Sequence, residues 1–203
     1  LIVVFFILIF GISNSYSAAV TQIDKAVFAD GDGEDLSSVM GDVVFNNDGT
    51  KMFTSYSNST AVNTNDDVIN EYTLSVPYDI SSATYAGASE RCAVTDGEAG
   101  SKDRAMLSFS FSDDGMKIFV AQRGLNGVHN SFVNRLDLTS AFDVSTCVYV
   151  NEINVDTDLL QNGTNSGPRV NTGGRNNLQG LDITNDGTKM FLTMNDRDGN
   201  QSV

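Results

Sequence analysis

Along residues 40–45, 106–111 and 178–183 (MGDVVF, MLSFSF and LQGLDI), apolar side chains fall on alternate positions. They are Val43 and Phe45, Phe109 and Phe111, and Leu181 and Ile183. A period of two predicts a strand. Each strand runs into an Asp-Gly pair, at Asp48-Gly49, Asp114-Gly115 and Asp186-Gly187, and then into a second apolar run beginning Lys51-Met52-Phe53, Lys117-Ile118-Phe119 and Lys189-Met190-Phe191. Asp-Gly between two such runs predicts a tight type I′ hairpin with positive φ at both residues. Neighbouring positions of the second strand, such as Met52 and Phe53, are both apolar, so both of its faces are expected to be covered.

The Asp-Gly pairs lie 66 and 72 residues apart, which makes the chain an internal repeat. A second block recurs with it: INEYTLSVPYDISSATY at 69–85 matches VNRLDLTSAFDVSTCVY at 133–149 without gaps. It reads as a third strand (Tyr72 and Leu74; Leu136 and Leu138), a connector of the form aromatic-Asp-aliphatic-Ser, and a fourth strand. Short Asp and Ser side chains suit the connector because they bond nearby backbone amides. No 3.6-residue period of useful length occurs, so the expected class is all-β, about four antiparallel strands per repeat.

A four-stranded sheet repeated in tandem with both faces apolar is the pattern of a β-propeller blade; an open β-sandwich is the alternative. The segments NDGTKMF and DDGMKIFV resemble the F-S-P-D-G-T-K-x-Y/F-V blade motif of exported bacterial β-propellers of the YVTN and lactonase-like kind. Paired with the aromatic-Asp-[Ile/Val]-Ser block, they look still more like its N-D-G-T-K-M-F variant in secreted bacterial repeat proteins. The chain departs from the first motif at Asn47, Asp113 and Asn185, where Pro is usual, and it contains no Trp. The resemblance implies an exported propeller and carries no reaction with it. About two and a half blades fit into 203 residues, at approximately 25–91, 92–155 and 156–203. A closed ring needs about four or more, so the rest of the propeller is expected in further sequence.

The run Leu1 to Ile12 is apolar and uncharged, well short of the about 20 residues that cross a bilayer. Small residues follow at Ser15-Tyr16-Ser17 and Ser17-Ala18-Ala19. Residues 1–19 therefore read as an N-terminally clipped signal peptide and 20–203 as a partial propeller, without a stable membrane span. Secretion, the periplasm or the cell surface follows as the expected location. Two sequons, at Asn58 and Asn162, matter only in a host that glycosylates.

The net charge of −14 opposes binding to phosphate backbones, so nucleic acid is not an expected partner. Cys92 and Cys147 are the two cysteines. Export would allow one disulfide, though nothing in their spacing fixes whether they pair.

Candidate chemistry concentrates in irregular segments expected on one face: 56–67, 96–104, 122–131 and 156–177. Asp30, Asp32, Asp96 and Glu98, on Gly-rich backbone, are weak candidate oxygen ligands for a Ca²⁺-type cation, although the full calcium-loop spacing is absent. Solvated acidic turns are the plainer reading. His129, the single histidine, reads as a loop residue. Asp42 and Asp182 break the repeat at positions expected to line a central channel. No nucleophile–base arrangement assembles. Two functions are thus expected: a non-catalytic scaffold offering its loop-rich face to a protein or glycan, or a lactonase-like or other hydrolytic propeller with a cation at the channel mouth.

Overall fold

The computed structural model of the chain describes residues 39–57, 67–94, 104–124, 131–155, 177–184, 187–195 and 201–202. These residues form three antiparallel sheets and no α-helix. The first sheet runs in chain order through β1 (Val39–Phe45), β2 (Lys51–Ser57), β3 (Val68–Leu74) and β4 (Ala83–Tyr85), and β5 (Arg91–Ala93) pairs with β3 beside β4. The second comprises β6 (Arg104–Phe111), β7 (Lys117–Gly124), β8 (Ser131–Asp137) and β9 (Val148–Asn154); the third, β10 (Asn177–Ile183), β11 (Met190–Asn195) and β12 (Gln201–Ser202). The third sheet shows three strands among the described residues, whereas the first two share a meander of four antiparallel strands. Its fourth strand is continuous in the second sheet and split into β4 and β5 in the first, where Gly87 at φ 116 and a Glu90 N–H to Gly87 carbonyl bond of 3.0 Å turn the chain.

The sheets pack face to face. Phe53, Ile69, Cys92 and Val94 of the first meet Met106, Phe109, Ile118, Val120 and Leu136 of the second, all nearly or wholly removed from water. Ala121 and Val133, on the other side of the second sheet, meet Leu178, Leu181 and Ile183 of the third. Full burial of one such side chain contributes about 2–3 kcal/mol. In β2 both Met52 and Phe53 are 0% exposed, as adjacent apolar positions imply. In β11 Met190 is half-buried while Phe191 is exposed.

The hairpin turn differs from the type I′ expectation. Gly49, Gly115 and Gly187 have φ of 72, 67 and 66°, but Asp48 and Asp114 do not share positive φ. Gly49 N–H donates to the Asn46 carbonyl at 3.1 Å, and Asn46 N–H to the Lys51 carbonyl at 3.1 Å, giving a longer turn with only its glycine left-handed. The reason is the Asp side chain. Asp48 Oδ1 accepts from Thr50 N–H (3.0 Å) and Thr50 Oγ1 (2.6 Å), and Asp114 Oδ1 from Met116 N–H (3.0 Å) and Ser112 Oγ (2.6 Å). The carboxylate closes the turn that a two-residue loop would have closed with backbone alone.

The connector completes this joint. Tyr78 and Phe142 adopt φ of 61 and 54°, uncommon for aromatic residues. Their N–H groups donate to the carbonyls of Gly49 and Gly115, each at 2.9 Å. Asp79 Oδ1 then accepts from Ser81 N–H at 2.9 Å to start a 3₁₀ turn at Ile80–Ser82.

Candidate functional site

Strand polarity divides the molecule into two ends. At one lie the Asp-Gly joints and the connectors. At the other β2 ends, β3 and β6 begin, β7 ends, and β8 and β10 begin, so segments 58–66, 95–103, 125–130 and 156–176 all leave from that end. The strands reach further into these segments than expected: Tyr56, Gln122, Arg104 and Asn177, placed in irregular stretches by sequence, belong to β2, β7, β6 and β10.

Beneath the loop-bearing end, a polar inlay sits between the first two sheets. Gln122 Nε2 donates to Asp67 Oδ2 at 2.9 Å, and Asn134 Nδ2 donates to Gln122 Oε1 at 2.7 Å. All three are buried. Asp67 Oδ2 accepts from the Gln122 amide nitrogen, which turns the Gln122 carbonyl oxygen toward Asn134, where it accepts from Nδ2. Asn134 Oδ1 is left buried without a hydrogen bond, a cost of about 1–3 kcal/mol. Beside the inlay, the Arg104 guanidinium lies 3.4 Å from the centroid of the Phe132 ring, and its Nη1 is 2.7 Å from Glu152 Oε2. The cation is thus held by a ring and a carboxylate. Ser131 Oγ accepts from Leu178 N–H at 3.3 Å, tying the third sheet to the second at this end. The result is a packed floor whose polar groups are mostly spent on one another.

A second polar line crosses the sheets at their first strands. β1, β6 and β10 each carry an irregularity in register at the same repeat position, between Met40 and Val43, Met106 and Ser108, and Leu178 and Gly180. Asp42 Oδ2 accepts from Ser108 Oγ at 2.7 Å and from Phe109 N–H at 3.4 Å; Ser108 Oγ accepts from Leu181 N–H at 3.2 Å. Asp42 therefore serves as an acceptor between sheets. Asp182 is exposed, and its Oδ1 accepts from Ile183 N–H at 2.9 Å.

Among the described residues, the displaced carboxyl pKa values lie away from the loop-bearing end. The Thr50 hydroxyl and amide hold Asp48 below the usual range, and the Ser112 hydroxyl and Met116 amide do the same for Asp114. Burial pushes Glu71 up, against the opposing pull of Lys51, whose Nζ lies 2.7 Å from Glu71 Oε1. Each displacement has a cause within the scaffold.

The candidate cation ligands Asp30, Asp32, Asp96 and Glu98 lie outside the described residues, as do His129, the sequons and the leader. Among the described residues, no group of three or more His, Cys, Asp or Glu is placed to hold a metal ion, and no helix is long and apolar enough to cross a membrane. The cysteines pair: Cys92, buried in β5, and Cys147, after the second connector, form a disulfide with Cα atoms 5.8 Å apart. It bonds the first sheet to the second. In comparisons with known proteins, the chain matches no family model and no curated protein.

The inlay escaped sequence reasoning because Asp67 and Gln122 are polar residues beside irregular stretches. Period two, continued from Val120 to Gln122, is the signal that marks Gln122 as inward-facing.

Proposed function

We propose that residues 20–203 are part of an exported β-propeller that performs no reaction of its own and binds a protein or glycan through its loop-bearing end. The observation that carries this reading is the division of the two ends. Every described Asp-Gly joint lies at one end, hydrogen-bonded into scaffold, whereas the strands that border segments 58–66, 95–103, 125–130 and 156–176 meet them at the other end, beside a packed polar floor. Irregular segments on a fixed scaffold are the usual seat of recognition. Three face-to-face sheets linked through their first strands by Asp42, Ser108 and Leu181 suit a propeller, in which neighbouring blades bury both faces. The Cys92–Cys147 bond suits an oxidising compartment outside the cytoplasm.

The test is binding of the purified chain to a glycan array and to a panel of extracellular proteins, repeated with segments 58–66 and 125–130 replaced by Gly-Ser. Loss of a dissociable ligand with an unchanged melting temperature supports the reading. Retained binding in the replaced chain, or turnover of a lactone, phosphoester or glycan by the parent, overturns it.

A further inference from the structure

Tyr78 and Phe142 hold a left-handed backbone at the same repeat position, with φ of 61 and 54°, a costly conformation for a residue with a bulky side chain. Both close over the same chemical pair. The Tyr78 ring lies on Gly49 and the Phe142 ring on Gly115, and their N–H groups donate to the carbonyls of those glycines, each at 2.9 Å.

Asp-Gly is a reactive sequence, because glycine places no side chain beside its own nitrogen. That nitrogen can attack the aspartate Cγ. A C–N bond forms, and one carboxyl oxygen leaves as water with the carboxyl proton and the amide proton, giving a cyclic imide. Water then adds to either imide carbonyl and reopens the ring, as aspartate or as isoaspartate, whose main chain is longer by a methylene. Water is the only co-reactant.

The joint restrains both reacting groups. Gly49 N–H donates to the Asn46 carbonyl at 3.1 Å and Gly115 N–H to the Ser112 carbonyl at 2.8 Å, so each nitrogen must break a hydrogen bond before it attacks. Asp48 Oδ1 is engaged by Thr50 N–H and Oγ1, and Asp114 Oδ1 by Met116 N–H and Ser112 Oγ. The same bonds hold both carboxyls below the ordinary range and so keep them ionised, whereas water leaves from the protonated group. The two aspartates are exposed and the two glycines buried, which leaves the aromatic connector as the cover on the nitrogen's side.

We propose that Tyr78 and Phe142 are covers that keep Asp48-Gly49 and Asp114-Gly115 from isomerising, and that release of either connector makes the aspartate beneath it a site of isoaspartate formation. A docked ring fixes the glycine backbone, so attack waits on a local opening of the connector rather than on unfolding of the chain. An added methylene in the first turn also displaces Asn47, whose Nδ2 donates to the Asp113 carbonyl of the next turn at 2.8 Å. The joints lie at the end opposite the irregular segments, so ligand binding there bears on neither cover.

Incubation of the full chain at neutral pH and raised temperature, with isoaspartate quantified at each site by peptide mass spectrometry, tests the proposal; the same chain in concentrated urea is the uncovered reference. The folded parent is expected to form isoaspartate at Asp48 and Asp114 at least about tenfold more slowly than in urea. Tyr78→Ala should raise the rate about tenfold at Asp48 and leave Asp114 unchanged, and Phe142→Ala should do the reverse, so each variant carries its own control. Tyr78→Phe, which keeps the ring and loses the hydroxyl, should stay as slow as the parent. Equal rates folded and in urea, an Asp48 rate in Tyr78→Ala no faster than the parent's, or a Tyr78→Phe chain as fast as Tyr78→Ala overturns the proposal. A rise at both sites in either variant overturns it too, because general loosening of the chain would then replace the local cover.

Discussion

The ring of Tyr78 lies against Gly49 so closely that a Cβ on the glycine would stand 2.4 Å from Tyr78 Cδ2. Phe142 and Gly115 repeat the relationship at the same 2.4 Å. Two motifs nearly thirty residues apart in sequence (Asp48-Gly49 and Tyr78-Asp79) are therefore one joint. The glycine supplies a left-handed backbone and an empty face, and the aromatic fills that face from its own left-handed position. In the first joint the Tyr78 hydroxyl also donates to the Asn47 carbonyl at 2.7 Å.

Gly187 separates the two roles of that glycine. It shares the positive φ, yet a Cβ there would meet nothing within 4 Å. Gly187→Ala is expected to cost about 1 kcal/mol from backbone conformation alone. Gly49→Ala and Gly115→Ala must in addition displace a ring, and are expected to cost about 3 kcal/mol or more. Urea unfolding of the three variants checks this; equal losses at all three would mean the aromatic contact is immaterial.

How far the sequence foretold this can be judged residue by residue. Alternation at Val43 and Phe45 and at Phe109 and Phe111 was sufficient for strands, because a half-buried sheet imposes its period directly. The turn was misread because an Asp-Gly pair signals a left-handed glycine equally well in two loop lengths, and the deciding bonds, from Thr50 and Ser112 to the Asp carboxylates, involve side chains. The inlay of Asp67, Gln122 and Asn134 was invisible for a different reason. Its members are buried because they satisfy one another across 55 residues of chain, and no local pattern records such a partner. The Asn47 departure from the Pro of the resembling motif also gains a reason: Asn47 Nδ2 donates to the Asp113 carbonyl of the next repeat at 2.8 Å, joining one turn to its successor.

The disulfide should contribute substantially. Cys92 and Cys147 are separated by 55 residues, for which the chain-entropy description gives about 4 kcal/mol. Replacement of both by Ser is expected to lower the unfolding free energy by about that amount while the far-ultraviolet dichroism of the sheets persists. Titration of thiols in denaturant without reductant should find none in the parent chain; two free thiols there would remove the bond altogether.

Lys51 bridges sheets from a partly exposed position, contacting Glu71 on its own sheet and the Phe142 carbonyl on the next. Lys51→Met keeps the aliphatic stem but strands the buried Glu71 carboxylate, of which Oε2 already lacks a hydrogen bond. A loss of about 2–3 kcal/mol is expected after allowing for solvent around the lysine, and Lys51→Met combined with Glu71→Gln should recover much of it. A double variant no more stable than Lys51→Met would show that the stranded charge is not the cause.

Acid stability divides the carboxylates by sign. Asp48 and Asp114 are held below the ordinary aspartate value of 3.8 by their turn hydrogen bonds, so they bind protons more weakly folded than unfolded. Their contribution is present above the unfolded pKa and is lost as pH falls through the lower folded value. Asp48→Asn and Asp114→Asn should each flatten the acid limb of the stability curve below about pH 4. Glu71 acts in the opposite sense. Burial raises its folded pKa above 4.5, so its contribution is fully present below the unfolded value and declines as pH rises through the folded one. The parent chain should therefore gain on Glu71→Gln as pH drops through the carboxylate range, while it loses its advantage over the two Asn variants. Chemical denaturation of all four proteins between about pH 3 and 7 reads both trends together. Parallel curves for the parent and Asp114→Asn would show that the turn carboxylate is not recruited in the folded state.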